Sequence, residues 1–478
     1  MTKFNKGTIV KLLVLALFIA AGIAVGLSQC KKTENIDIKP IIESKTVAYK
    51  TDLEDSLESF HSNQDILDYL ISWAKTKSIT YEKDKYGNLI LSIPSTEEYK
   101  DAPPTVVVAT YDYKNIKAQV PQLTTALFLA KNNQKTGDLS VIFTASDGGD
   151  FSGISNLSKK YFPENAKVFC LNDGMKQMWS FSSGAMSSYK FTGAVDRIEP
   201  TGATAFEISI DGLPGGTPDG RINSYPNPIK ELSDMLAYFK TNAMIFQLAA
   251  FDGGDSANLY PTKAKMTIVV PDNYVEKFTS KLESTISSFN QNYKEDFKDA
   301  KMYYSQVSMP SSVLSEDAQN NFLSSMYTLL NGTYSKDNNN EADSITSLGY
   351  IALGDSVYTI GACAVSWSDD NLQKIDNDYQ LAAGVSSLSY EKVASYPSFT
   401  GDPNSQFAQN ITKAFKSYTT YDMEYKRVTE CTNAGFIKDK SPNCSIVDVS
   451  YGPEKIERYS GTILTYMVSL PHKENTDA

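Results

Sequence analysis

The sequence predicts an α/β protein built on a largely parallel sheet, and three observations carry that prediction. Short apolar runs and longer segments with helical spacing alternate between residues 80 and 175. One of the runs, Thr105–Ala109, reads Thr-Val-Val-Val-Ala, the near-continuous β-branched pattern of a strand covered on both faces. Three strand ends carry acidic residues, at Thr110-Tyr111-Asp112, Ser146-Asp147-Gly148-Gly149 and Asn172-Asp173-Gly174. In parallel sheets ligands sit beyond such carboxyl ends. Asp and Gly are also ordinary turn residues, so these ends read either as a functional cleft or as plain loops.

Taken in order, the chain begins with Lys3, Lys6 and Lys11, followed by an uncharged run from Leu12 to Leu27 and then Ser28, Gln29 and Cys30. This pattern fits a signal peptide or membrane anchor over 1–32, either uncleaved or lipidated at Cys30. Residues 33–50 read as a linker. Leu53–Lys75 reads as a helix, with Phe60, Leu67, Leu70, Ile71 and Ala74 on one face and His61 as a surface residue. The turn Tyr86-Gly87-Asn88 leads into the strand Leu89–Ile93. Gln122–Asn132 is a helix, and Ser140–Thr144 and Lys167–Leu171 are further strands. The character changes over 186–388. There the strands Ala205–Ile210 and Lys265–Val270 alternate with helices near Pro228–Lys240 and Tyr274–Phe289, and a second cycle from Ala318 to Ala383 suggests an internally duplicated insertion. The α/β pattern returns from Tyr396, and 471–478 is a tail.

Composition limits the chemistry. Forty-five basic against 56 acidic residues give a formal charge of −11, which argues against nucleic acid as a partner. Only two histidines, His61 and His472, are present, so chemistry that depends on several His residues is excluded. Of five cysteines, Cys431 and Cys444 are close enough in sequence for a disulfide, or are simply small buried side chains. No Cys-x-x-Cys pair occurs.

Several segments together resemble the zinc-dependent aminoacylase and carboxypeptidase superfamily, and within it the aminoacyl-histidine (Xaa-His) dipeptidases. Asp84–Asn88 (DKYGN) resembles the family's Asp-x-x-Gly-Asn turn, and Ile210–Asn223 (IDGLPGGTPDGRIN) its Gly-Gly-His-Ser-Gly lid signature. Gly253–Pro261 (GGDSANLYP) and Tyr396–Ser405 (YPSFTGDPNS) resemble two further segments. Gly452-Pro453 followed by Ser460 resembles the terminal Gly-Pro-x5-His-Ser motif. The resemblance implies a mostly parallel-sheet, zinc-peptidase-like α/β domain over 51–185 and 389–470, with an α+β lid domain inserted over 186–388.

At the positions where the family holds its metals the residues differ. The metal His of the His-x-Asp strand end falls on Thr110, while the supporting Asp is kept as Asp112. The bridging Asp falls on Gln119. The Glu-Glu pair, general base and metal ligand, falls on Asp147-Gly148. The next metal carboxylate is kept as Asp173. The lid His falls on Thr217, the His and Glu of a His-Ala-Gly-Leu-Glu-Cys-Gly segment on Thr429 and Asn433, and the last metal His on Tyr459. Two zinc ions need several N, S or carboxylate donors. Gly148 has none, Thr110 and Gln119 are weak and neutral, and Tyr459 would have to lose a proton held near pKa 10. Replacing carboxylates by Gln119 and Gly148 would also relieve like-charge repulsion once the dications are gone.

The expectation is therefore a tethered, catalytically inactive homologue with no cofactor, located outside the cytoplasm, that binds a peptide, a small molecule or a protein partner in the former cleft. Asp147 stands at the general-base position, and Arg221 and Asn258 are candidate ligand contacts. Three alternatives remain open at this point: an active zinc dipeptidase with an atypical ligand set, a metal-free Ser/Thr hydrolase, and a structural envelope protein with a filled cleft.

Overall fold

The computed structural model describes residues 38–132, 136–174, 178–452 and 455–471. The segment read as an anchor, with Cys30, and the tail from His472 on lie outside the described residues, as does Pro453. Among the described residues no helix is long and apolar enough to cross a membrane. The chain divides into two compact units, Met1–Pro40 and Ile41–Ala478, and every described strand belongs to the second.

The first of two large sheets has seven strands in the order Thr80–Lys83, Leu89–Ile93, Leu139–Ala145, Thr105–Tyr111, Lys167–Asp173, Ser445–Tyr451, Met178–Ser180. Its four central strands run parallel. The pairings outside them are antiparallel, so the sheet is mixed rather than mostly parallel. One of these pairings has a local reason. The turn at Gly87 returns the chain directly beside its predecessor, and only antiparallel strands can be joined by so short a connection. The run predicted at Thr105–Ala109 is the central strand. Val106 and Val108 pack into one hydrophobic cluster and Val107 and Ala109 into another, as alternating side chains on a doubly covered strand must. Full burial of each Val is worth about 1.5–3 kcal/mol.

The helix predicted from Gln122 begins earlier, at Ile116, and runs to Asn132 through Pro121. It packs against the three neighbouring strands and against the C-terminal helix Ile456–Val468. The helix predicted over Leu53–Lys75 is two helices, Lys39–Ser56 and Asn63–Thr76, so the stretch read as a linker is helical from Lys39 on. Ser62 breaks the run by capping the second helix. Its hydroxyl accepts from Asp65 N, while Asp65 accepts from His61 N, a reciprocal cap. His61 is exposed at this break.

The second sheet has nine strands, all paired antiparallel, drawn from Ala185–Tyr396. Its order shows the duplication. From one edge inward it reads Lys301–Val307, Thr204–Asp211, Ala264–Val270, Gln247–Gly253. From the other edge inward it reads Ser389–Tyr396, Ala185–Ala194, Val357–Ser366, Ala342–Leu353. The first half runs β-α-β-β-α-β along the chain. The second has the same pattern, with its first strand, Ala185–Ala194, preceding the whole first half and a ninth strand, Gly332–Lys336, added beside Ala342–Leu353. The halves join where Asp252 pairs with Ala352 and Gly253 with Ile351. Cys170, Cys363, Cys431 and Cys444 are free and buried, so Cys431 and Cys444 do not form a disulfide.

Candidate functional site

The carboxyl ends of the parallel strands converge on segments of the second sheet. A small cavity of about 30 Å³, room for a single water-sized group, lies there. Its wall includes Thr110, Asp112, Gln119, Asp173 and Thr217, so five of the positions singled out in the sequence are brought together.

Their donors and acceptors are largely spent on one another. Asp112 is buried, and its two oxygens accept from Lys114 N (3.0 Å) and Gly149 N (2.9 Å). Burial pushes its carboxyl up to about 6. Its own N–H donates to Gln119 Oε1 at 2.7 Å. Thr110 Oγ1 lies 3.2 Å from Thr144 Oγ1 and accepts from Asn433 Nδ2 at 2.8 Å. Asp173 accepts from Asn115 Nδ2 (3.2 Å), Thr217 N (3.0 Å) and Thr217 Oγ1 (3.5 Å).

Other candidates lie elsewhere. Asp147 is not on the cavity wall. Its side chain is 67% exposed and pairs with Lys114 Nζ at 2.8 Å. Gly148 sits at φ +64°, and a Cβ there would fall 2.7 Å from Ser256 Cβ. The Ser256 hydroxyl donates to the Gly148 carbonyl, so the connection between the strands Gln247–Gly253 and Ala264–Val270 fills the space a side chain would take. Tyr459 is packed between Tyr451 and Trp179, with ring centroids at 4.6 and 5.5 Å, and burial drives its phenol well up. Asn258 is turned inward. It accepts from the Ser188 hydroxyl and donates to Gly149 O at 3.1 Å. The Thr429 hydroxyl donates to Ala342 O at 3.0 Å.

A second, larger cavity of about 490 Å³ adjoins the first, with Glu430 on both walls. Arg221, Lys336, Trp367, Arg427 and Thr429 line it. Both oxygens of Asp219 accept from Arg221 Nε at 2.7 Å, and the described hydrogen bonds of the guanidinium all run through that nitrogen. Arg427 stacks over the Trp367 ring at 4.0 Å, joining the two sheets' segments across the cavity.

Sequence reasoning missed four residues here. Glu430 is buried, accepts from Ser450 Oγ at 3.0 Å, and is pushed up to about 8, by burial first and then by the charge of Asp219. Asp448 accepts from Asn172 Nδ2 and Thr432 Oγ1, both at 2.9 Å, and burial pushes it up to about 7. Asn115 and Gln122 complete the wall of the small cavity. The available signal was a charge inside an otherwise uncharged segment, Thr429–Gly435 for Glu430 and Ser445–Tyr451 for Asp448.

No protein-family model matches the chain. A cytosol non-specific dipeptidase of Escherichia coli (strain K12) is 21% identical over 452 residues, covering 87% of this chain and 92% of the relative. The crystal structure of aminoacylhistidine dipeptidase from Vibrio alginolyticus superposes with a TM-score of 0.53 at 16% identity, over 91% of this chain and 99% of that one. This is the dipeptidase fold. The resemblance read from the motifs thus holds for the two-sheet architecture.

The same matches correct the expectation that no cofactor is involved. The dipeptidases matched are zinc-dependent, so the comparisons do not support a cofactor-free reading. The structure does not show which residues of this chain would hold it. Among the described residues no group of three or more His, Cys, Asp or Glu is placed to hold a metal ion. The donors at the former positions do not fit a two-zinc ligand set either: Gly148 offers none, Tyr459 is enclosed by aromatic rings, and Gln119 Oε1 is already bonded to backbone.

Proposed function

We propose that this protein is a catalytically inactive homologue of the dipeptidases that binds a peptide or small amide in the cleft between its two sheets. The observation that carries the proposal is the fate of the Asp147-Gly148 pair. Peptide hydrolysis needs a base within hydrogen-bond reach of the attacking water. Asp147 faces solvent and Lys114, and the place of a side chain at 148 is taken by Ser256. The retained Asp112 and Asp173 are engaged as acceptors for backbone and Thr217 groups. What the cleft retains is room. A cavity of about 490 Å³ lies within the range of small-ligand pockets, and Arg221 on its wall is held in a fixed orientation by Asp219. A carboxylate or amide carbonyl is what a guanidinium so fixed recognises best.

The proposal extends to location. The basic start, the apolar run Leu12–Leu27 and Cys30 support a tether that holds the protein outside the cytoplasm. Fractionation of cells expressing the native chain and Cys30→Ser tests this: the native protein should remain with the membrane, and recovery of the native chain in the cytoplasm would refute it. Binding is tested by thermal shift against a dipeptide and amide library. Saturable stabilisation by library members, lost in Arg221→Leu, supports the reading. No stabilisation by any member favours a structural protein with a filled cleft.

A further inference from the structure

We propose that the larger cavity selects a dianionic ligand, a small peptide or amide with an acidic side chain, Arg221 receiving one carboxylate and Arg427 the other. The assignment rests on the reading of that cavity as the ligand site. Arg221 and Arg427 both stand on its wall, and each guanidinium is held from one side by a group of the protein. Asp219 fixes Arg221 through Nε alone, and no described hydrogen bond engages the terminal nitrogens. Arg427 lies 4.0 Å from the centre of the Trp367 ring. That ring is itself anchored. Its Nε1 donates to Val428 O, and the Trp367 backbone N–H donates to Asp343 O at 3.2 Å. Such a stack occupies one flat face of the guanidinium. The N–H donors point outward in its plane, and among the described residues no hydrogen bond or ion pair engages those of Arg427. A guanidinium laid flat on a rigid indole presents a planar fork, the shape that a carboxylate matches.

The charge of the wall points the same way. The chain carries −11 overall, yet Arg221, Lys336, Lys426 and Arg427 line this cavity against three carboxyl groups, Asp219, Glu341 and Glu430. Asp219 is committed to Arg221. Glu430 is buried and accepts from Ser450 Oγ, and burial raises its carboxyl so that it keeps its proton at neutral pH. Glu341 is exposed. Lys426 and Arg427 enter no ion pair among the described residues, and the Lys336 ammonium donates to the neutral Asn340 Oδ1 at 3.2 Å. Unpaired cations on a concave wall draw anions to it. A peptide with a neutral side chain offers one carboxylate, which Arg221 takes, and leaves Arg427, Lys426 and Lys336 without a group of opposite sign. An acidic side chain supplies that group, and a cavity of about 490 Å³ has room for a ligand of dipeptide size. The corresponding amide side chain has the same shape and no charge, so a preference for the acid over the amide is the signature of the second subsite.

Isothermal titration of the purified full chain, in a low-salt buffer free of phosphate and sulfate, compares Ala-Glu with Ala-Gln and Glu-Ala with Gln-Ala. In at least one pair the acid should bind at least about tenfold more tightly, and the ratio should shrink as sodium chloride is raised. Arg427→Gln should bring the ratio to about one. Should that variant fail to fold, the double exchange Lys336→Gln and Lys426→Gln, at two exposed side chains, should lower the ratio instead. Arg221→Leu should remove binding of all four peptides. Equal affinity for acid and amide in both pairs, or a ratio retained in Arg427→Gln and in the double variant, would overturn the proposal and leave the cavity standing as a ligand site. Failure of the native chain to bind any of the four would overturn it together with the reading on which it rests.

Discussion

Thr217 donates twice to Asp173, through its backbone N–H at 3.0 Å and its hydroxyl at 3.5 Å. Both residues stand at positions where the resemblance places groups of the reaction, Thr217 for the lid histidine and Asp173 for a metal carboxylate. Here the carboxylate is an acceptor that holds the connection following the strand Thr204–Asp211 against the first sheet. Asn115 adds a third donor. Asp173→Ala should therefore leave these donors unpaired and cost about 1–3 kcal/mol, while Asp173→Asn should cost less. Urea denaturation of the two variants checks the order. Equal stability of Asp173→Ala and the native chain would show that the contact contributes nothing.

The position of Gly148 makes restoring the family residue unfavourable. At φ +64° any side chain is strained, and its Cβ would meet Ser256 Cβ at 2.7 Å. Gly148→Glu should destabilise the fold by at least about 1–3 kcal/mol and confer no hydrolysis. A stable Gly148→Glu protein with dipeptidase activity would mean that the space opens more readily than the packing against Ser256 implies.

Stability should fall as pH rises through neutrality. Asp112, Asp448 and Glu430 are pushed up to about 6, 7 and 8 by burial. Each holds its proton more tightly folded than unfolded. Their contribution is full below about pH 4 and is lost stepwise as pH climbs through those values. Calorimetry between pH 5 and 9 should show a falling Tm. Glu430→Gln, which keeps the shape and cannot ionise, should flatten the upper part of that slope. A Tm rising over this range would contradict the assignment of raised values to these three groups.

Ligand binding should depend on Arg221 and Arg427 in different ways. Arg221 is pinned by Asp219 and lines the cavity, so Arg221→Leu should remove peptide stabilisation entirely. Arg427 bridges the segments by stacking on Trp367, and Arg427→Ala should weaken binding by roughly 5–30-fold, as loss of about 1–2 kcal/mol of cation–π contact implies. Isothermal titration of both variants with whichever dipeptide binds the native chain separates the two effects. Equal affinities in all three proteins would exclude this cavity as the site.

Much of the first sheet was legible because its signal is local. The run Thr105–Ala109 could bury both faces only as a central strand, and Asp112 and Asp173 fell where strand ends converge. What was not legible depended on tertiary neighbours. The helix break at Ser62 was hidden by apolar residues that keep helical spacing across it. The antiparallel half of the first sheet depends on which strand a turn returns to, and no periodicity encodes that. Asp147 and Gly148 read as one catalytic pair in sequence but diverge in space, one outward to Lys114 and the other against Ser256. Glu430 and Asp448 escaped notice because their environment comes from segments distant in the chain, and Gln122 because its place on the cavity wall depends on its bond to the Thr110 carbonyl.

The most direct test of the central claim is a hydrolysis assay of the purified native chain against a dipeptide panel that includes aminoacyl-histidine substrates, with and without added zinc. The account predicts release of free amino acids at the rate of the buffer control in every condition, while some of the same peptides bind. Zinc-stimulated turnover that is abolished in Asp173→Ala would contradict it and establish an active dipeptidase with an atypical ligand set.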